Sequence, residues 1–459
     1  MEAQKIFHVW EAIKAPIVAD SSNERAFAVL TDMFKGTGAT LIASEDLITE
    51  ARIVDFQEDD RYIPQHDDSA VLQFSSGSTG MPKGARLTHR NLIANIRALR
   101  AIEGGTSEDR LVTWLPYFHG FGLFGCHLMP MLAGMDQIKM DPFQFAQRPF
   151  LWMEKIHEHR GTITSATNTG IEHLSAYIGL RADRLPEVDL SCLKVWTVGA
   201  EMISAESCRI LQEQLAPMGL APHLLMPGYG LTETAPLLAG AAPSQVRLGS
   251  TGPQAPGVQL RLEHINPDTR QGEVVALTPS VMLGYFKNPE ATKEVFTDDG
   301  WFRTGDLGEF DKDGWLYIKG RLKNMIVGPG GENIYPEDIE TVLNSHVYIA
   351  DSIVTEQEGR LVALVHFNRD EIEAMVDNWR EEWETKKEAW EAKTEQLKKE
   401  IMDFVNAKVN RFSRISEVVE EKDDFAKTPT HKIKRFLYNR SKDNDKPQRE
   451  QPAGKPETK

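Results

Sequence analysis

Residues 75–89 read SSGSTGMPKGARLTH, and what surrounds this stretch decides the fold. Before it, residues 70–74 form a short apolar run expected to be a buried strand. After it, Leu92, Ile93, Ile96 and Leu99 recur at helical spacing. Glycines 77, 80 and 84 let the backbone turn its N–H groups inward, which makes a nest for anionic oxygens. Ser75, Ser76, Ser78 and Thr79 add hydroxyl donors, and Lys83 adds a positive charge. The stretch therefore reads as a phosphate cradle between a strand and a helix. It is not a Walker loop, because no Gly-Lys-Ser/Thr closes it. Its lysine and proline set it apart from a Gly/Ser linker.

The chain has 459 residues, which suggests two or three domains rather than one. Hydrophobic residues at 41% and charged residues at 26% describe a soluble globular protein with an ample core. A formal net charge of −16 argues against a broad nucleic-acid-binding surface. No run is long and apolar enough for a membrane span, and the N-terminus has no signal-peptide layout, which leaves only peripheral membrane contact open. Cys126, Cys192 and Cys208 make neither a disulfide framework nor metal-ligand spacing, and read as buried thiols of a cytoplasmic protein.

Outward from the cradle, strands alternate with helices through about residue 240, so the class is α/β with a largely parallel sheet. In such sheets ligands sit beyond the carboxyl ends of the strands. SSGSTG, PYFHG, VGAEMI and GYGLTET are all expected there. From 249 to 319 the texture changes to short strands and turns, read as a β subdomain. The expected organisation is a large N-terminal domain (1–320) with parallel-sheet layers plus that β subdomain, and a small α+β C-terminal domain (321–440). A disordered tail follows (441–459). Residues 370–410 read as one long charged helix with Val376, Trp383, Trp390, Leu397 and Phe404 every seven residues. Such a stripe packs on the parent domain, or else forms an incomplete coiled-coil seam for a partner.

The cradle, GYGLTETAP (228–236), GWFRTGDLGEFDKDGWLYIKGRLKNMIV (300–327) and KTPTHKIKRF (427–436) together resemble the adenylate-forming (ANL) superfamily. That group includes acyl-CoA synthetases, fatty-acyl-AMP ligases, luciferases and peptide-synthetase adenylation domains. The resemblance implies two steps: a carboxylate attacks the α-phosphate of ATP to give acyl-adenylate and pyrophosphate, and a thiol then displaces AMP. It assigns Ser75, Ser78, Thr79, Gly80 and Lys83 to the β- and γ-phosphates, Thr232 to the α-phosphate and Glu233 to Mg²⁺. Gly199, Ala200, Glu201 and Tyr229 form the adenine slot. Asp306 takes the ribose hydroxyls, and Arg321 also reaches the nucleotide. Lys432 steadies charge on the α-phosphate and carboxylate during adenylation. Lys323 is the hinge about which a mobile small domain rotates between the half-reactions. His119 matches a histidine near the acyl carboxylate or thiol path. Each has a plainer reading: Glu233 as a helix-start acid, Asp306 as a turn aspartate, Lys432 as a tail lysine, His119 as a satisfied core residue.

TPTHKIKRF and GENIYPEDIE look most like long-chain fatty acyl-CoA synthetases, whereas 143–168 and 191–204 look more like fatty-acyl-AMP ligases. The stretch after Tyr229 is too short for the insertion typical of the latter. The expected reaction is activation of a fatty acid with ATP and Mg²⁺, and transfer to CoA. Loading of an acyl carrier protein is the alternative, and a catalytically silent adenylate-fold scaffold a further one. Relatives usually carry more chain before the cradle, so part of the first subdomain, bordering the acyl pocket, is expected to be missing.

Overall fold

The computed structural model describes residues 2–14, 17–20, 24–46, 62–75, 83–328, 333–344, 346, 348–368, 383–427 and 433–438. The chain divides into two compact units, 1–91 with 282–294 and 92–281 with 295–459.

In the first unit, α1 (Glu2–Ile13), β1 (Ile17–Asp20), α2 (Glu24–Met33) and β2 (Thr40–Ala43) form a parallel β–α–β pair. Trp10, Leu30 and Phe34 are its core. β3 (Ser69–Ser75) then pairs antiparallel with β4 (Lys83–Thr88). The expected strand and the expected helix (His89–Glu103) are both present, and the further strand β4 lies between them, so the stretch closes a hairpin before the helix begins. Gly84 is not one of the turning glycines. It lies opposite Phe74, and a Cβ there would come within 2.9 Å of that ring. The free edge of β4 is taken by residues 283–286, with Phe286 N donating to Gly84 O at 2.8 Å and Arg86 N to Gly284 O at 3.0 Å.

The second unit is built on a six-stranded sheet. After α3 (His89–Glu103), its strands are β5 (Arg110–Thr113), β6 (Asp136–Lys139), β7 (Ile163–Ala166), β8 (Val195–Val198), β9 (Leu225–Gly230) and β10 (Leu237–Gly240). Their order is β10-β9-β8-β7-β5-β6, parallel except for β10. β7 and β8 are buried at every position, as a parallel strand covered on both faces must be. Helices α4 (Leu151–His159), α5 (Asn168–Arg181) and α6 (Ala205–Leu215) connect them. α6 starts at the expected Ser204 cap, whose hydroxyl accepts from Ser207 N. The β subdomain is a four-stranded antiparallel sheet of β11 (Gln259–Glu263), β12 (Gly272–Leu277), β13 (Phe302–Phe310) and β14 (Leu316–Arg321).

Beyond β14 come the short pair β15 (Ile326–Val327) and β16 (Asn333–Ile334), α7 (Pro336–Asn344), the hairpin β17 (Ile349–Gln357) and β18 (Arg360–Phe367), α8 (Trp383–Lys408) and β19 (Glu417–Glu420). β19 lies parallel to β18. The long helix is described from Trp383; Val376 and the rest of 369–382 lie outside the described residues, as does the 441–459 tail. Leu397, Ile401 and Val405 are fully buried, with Thr394 beside them, while Phe404 is half-buried and edge-on to His346. The seam there steps by four rather than seven, the pattern of a straight helix laid on its own domain rather than of a supercoil. Among the described residues no helix is long and apolar enough to cross a membrane.

Candidate active site

At the end of β9 the chain makes one 3-10 turn, Thr232–Thr234, and returns as β10. The turn is tight enough that a Cβ on Gly230 would lie 1.6 Å from Pro236 O. Asn95 of α3 holds it. Its Nδ2 donates to Thr234 O (3.1 Å) and Leu237 O (2.9 Å), and its Oδ1 accepts from Leu237 N (3.1 Å). Asn95 is buried and was not singled out in the sequence. The available signal was a pair of asparagines, Asn91 and Asn95, one turn apart on a helix and both buried.

Asp306 lies on β13 opposite Arg321 of β14. Its Oδ2 accepts from the Tyr229 hydroxyl at 2.6 Å, and its Oδ1 faces Arg321 Nε at 2.7 Å. Arg321 Nη1 donates to Thr304 O at 3.1 Å, and Thr304 Oγ1 accepts from Asp306 N. Burial and then the Asp306 charge push the Tyr229 phenol well above its ordinary pKa, so it is a donor. Burial opposes the charge on Arg321, but Asp306, Tyr229, Glu233 and Glu337 hold its pKa up. Three expected residues, Tyr229, Asp306 and Arg321, thus meet from three strands, with Glu233 in electrostatic reach.

The loops after β8 and β5 lie beside this turn. A Cβ on Gly199 would come within 3.2 Å of Gly228 O, and Ala200 adopts a left-handed φ of 72°. Such a conformation in a non-glycine residue is held only by its surroundings. Glu201 accepts from Thr169 N (2.6 Å) and Oγ1 (3.0 Å) at the start of α5. His119 Nδ1 accepts from Phe121 N (3.2 Å), where a π-helical segment, Phe121–Leu128, begins. A Cβ on the adjacent Gly120 would sit 3.9 Å from Thr232 Oγ1. PYFHG, VGAEMI and GYGLTET therefore follow β5, β8 and β9 of the large sheet as expected, but SSGSTG follows β3, in the separate hairpin of the first unit.

Ser75 ends β3. Lys83 opens β4 with its ammonium 5.2 Å from the Tyr285 ring centre. Ser78, Thr79, Gly80 and Lys432 lie outside the described residues. Lys427 pairs with Ile433 in a bridge and with Asp351 in an ion pair at 2.6 Å, while Arg435 bonds Glu340 and Val354 O. Lys323 is exposed in the 3-10 turn Leu322–Asn324 after β14. Among the described residues no group of three or more His, Cys, Asp or Glu could hold a metal ion. Glu233 as a lone carboxylate fits Mg²⁺, which completes its shell with phosphate oxygens and water.

The chain matches the model of the AMP-binding enzyme family over residues 4–286. It is 31% identical over 348 residues to the 4-hydroxyphenylalkanoate adenylyltransferase of Mycobacterium tuberculosis, which covers 65% of this chain and 55% of the relative. It is 32% identical over 370 residues to the medium-chain-fatty-acid–[acyl-carrier-protein] ligase JamA of Moorena producens, 69% of this chain and 62% of the relative. The chain thus spans just over half the length of these curated relatives. Among solved structures, a fatty acyl-adenylate ligase from a study of E. coli and L. pneumophila enzymes superposes with TM-score 0.76 at 23% identity, over 94% of this chain and 80% of that one. ATP-bound MatB from Rhodopseudomonas palustris gives 0.73 at 23%, over 95% and 81%. At these identities the likeness concerns the fold, a mixed α/β adenylation fold. With the family match covering well over half of its residues, this chain is a member of the AMP-binding enzyme family.

Proposed function

We propose that the protein activates a fatty or aryl carboxylic acid with ATP as an acyl-adenylate, which then passes to a thiol. The observation that carries this reading is the Tyr229–Asp306–Arg321 constellation beside the Thr232–Glu233 turn. A buried carboxylate accepts on both oxygens, and Tyr229 and Arg321, one on each, orient it as an acceptor for ribose hydroxyls. The Gly199–Gly228 contact brings two backbones together as one wall for a flat base, and Tyr229 is fixed beside it. Thr232 and Glu233 ride on a turn held by Asn95, a rigid mount from which a hydroxyl would bind the α-phosphate and a carboxylate would hold Mg²⁺, which would neutralise phosphate charge. ATP supplies the leaving group: the carboxylate oxygen bonds to the α-phosphorus as pyrophosphate departs. The thiol sulfur then bonds to the acyl carbon as AMP departs. Lys432 serves the first step, and rotation at Lys323 withdraws it for the second.

CoA is the acceptor suggested by the C-terminal motifs. A phosphopantetheinylated carrier protein is the second reading, favoured by the likeness to JamA, an acyl-carrier-protein ligase by name. Pyrophosphate release is measured with ATP, Mg²⁺ and a panel of alkyl and aryl acids, without thiol, with CoA and with carrier protein. Acid-dependent release supports the reading, and the thiol that accelerates it identifies the acceptor. A folded protein that binds ATP yet releases no pyrophosphate with any acid contradicts it.

A further inference from the structure

Residues 199–204 link β8 to α6, and their first half carries the backbone assigned to the adenine slot. Two anchors tie this link to the first turn of α5. Glu201 is one. Its carboxylate accepts from Thr169 N at 2.6 Å and Thr169 Oγ1 at 3.0 Å, and so takes up an N–H group that a helix start leaves without a partner inside the helix. Just before it, Ala200 is left-handed with a φ of 72°, a conformation its surroundings must hold.

Asn168 is the other anchor. It is buried, its Oδ1 accepts from Ser204 N at 2.8 Å, and its Nδ2 donates to Glu172 Oε1 at 2.8 Å, one turn further along α5. The same Oε1 accepts from Ser207 Oγ at 2.9 Å, while Ser204 Oγ accepts from Ser207 N at 3.1 Å. A backbone N–H can only donate and a carboxylate can only accept, so the group between them must accept on one side and donate on the other. A carboxamide does both at a fixed spacing; an alanine does neither, and an aspartate would set an acceptor against an acceptor. Glu172 therefore decides which way the Asn168 amide lies.

We infer that Asn168 is a positioning residue for the adenine slot: its amide, turned by Glu172, holds Ser204 N and so fixes the helix end of the 199–204 link and the stand of the Gly199–Ala200 backbone against Gly228. The inference rests on the assignment of Gly199, Ala200 and Tyr229 to the base. It adds Asn168 and Glu172 as residues that act on the nucleotide through the link and not by touching it. The strand end of the link is set by the close approach of Gly199 to Gly228 O, and the helix end by Asn168.

The test is a calorimetric titration of AMP into the full chain and its variants at about pH 8, above the value of about 7 to which burial pushes the Glu172 carboxyl. Asn168→Ala removes both bonds, and the Kd for AMP should rise about tenfold with the stoichiometry unchanged. Asn168→Asp opposes Glu172 and should bind AMP at least as weakly. Adding Glu172→Gln to Asn168→Asp exchanges donor and acceptor between the two positions, and should return the Kd to within about threefold of the parent. Glu172→Gln alone keeps an acceptor for Asn168 Nδ2 and Ser207 Oγ and should stay in the same range. A role in folding alone would lower the stoichiometry and leave the Kd at the parent's value, and that result overturns the inference. Parent-like binding by Asn168→Ala overturns it too and leaves the nucleotide site standing. A double variant that binds no tighter than Asn168→Asp overturns the part given to Glu172. Failure of the parent to bind AMP overturns the inference and the nucleotide reading together.

Discussion

Tyr229 donates its phenolic hydrogen to Asp306 Oδ2 at 2.6 Å across 77 residues of sequence, joining the last turn of the parallel sheet to the β subdomain. Burial and the Asp306 charge hold the phenol's pKa well above its ordinary value, so it is the donor in this bond.

Tyr229→Phe removes that donor from Asp306 Oδ2. ATP affinity should fall about tenfold, and stability by about 1 kcal/mol. Asp306→Asn, which also removes the counter-charge of Arg321, should weaken ATP binding further. Calorimetric titration of ATP into each variant checks the order.

Asn95→Ala deletes three hydrogen bonds to the backbone of 234–237 and leaves Thr234 O and the Leu237 amide and carbonyl without it. The expected loss is about 3 kcal/mol in urea unfolding, since each stranded buried group costs on the order of 1–3 kcal/mol and some of it relaxes. Affinity for ATP should fall with it, although Asn95 itself is bonded to the turn and not assigned to the nucleotide.

Two glycines in GYG should behave oppositely. A Cβ on Gly230 meets Pro236 O at 1.6 Å, whereas the nearest atom to one on Gly228 is 3.8 Å away. Gly230→Ala should unfold the turn or cost more than about 3 kcal/mol, and Gly228→Ala should stay within about 1 kcal/mol. Thermal melts of the pair decide this without reference to activity.

Glu103 ends α3 with Oε1 accepting from Thr197 Oγ1 at 2.8 Å and Oε2 occluded without a partner among the described residues. Burial pushes its carboxyl up to about 7 from 4.5. The folded chain then holds a proton that the unfolded chain has released, so stability present below about pH 4.5 is lost as pH rises towards 7. Glu103→Gln does not titrate. Its Tm relative to wild type should climb through that window and level off above it, ending about 3 °C higher. A gap that is constant with pH would show that Glu103 stays ionised.

Much of the fold was written in local pattern. The four strands β11–β14 stand out because apolar runs alternate with Gly- and Asp-containing turns, and Ser204 marks the start of α6 by its own chemistry. The hairpin at residues 69–88 was less legible. Gly84 reads as a turning residue, but what it serves is the Phe74 ring on the opposite strand, and that need appears only once the strands are paired. Asn95 was hidden for a related reason: its partners lie 139 and 142 residues away, so nothing near it in the chain marks its role. Tyr229, Asp306 and Arg321 were each recognisable from their motifs, yet their direct bonding to one another was not. Of the seven-residue stripe, Leu397 is in the core and Phe404 packs against it, as a helix laid on its own domain requires, while the fully buried seam continues through Ile401 and Val405.

The most direct test of acyl-adenylate formation follows a single oxygen. The protein is given ATP, Mg²⁺ and an acid whose carboxylate carries heavy oxygen, and after thiol transfer the products are weighed by mass spectrometry. Attack of the carboxylate on the α-phosphorus predicts AMP carrying one heavy oxygen, with pyrophosphate unlabelled. Label in inorganic phosphate beside ADP, or AMP and pyrophosphate formed without label, would contradict it.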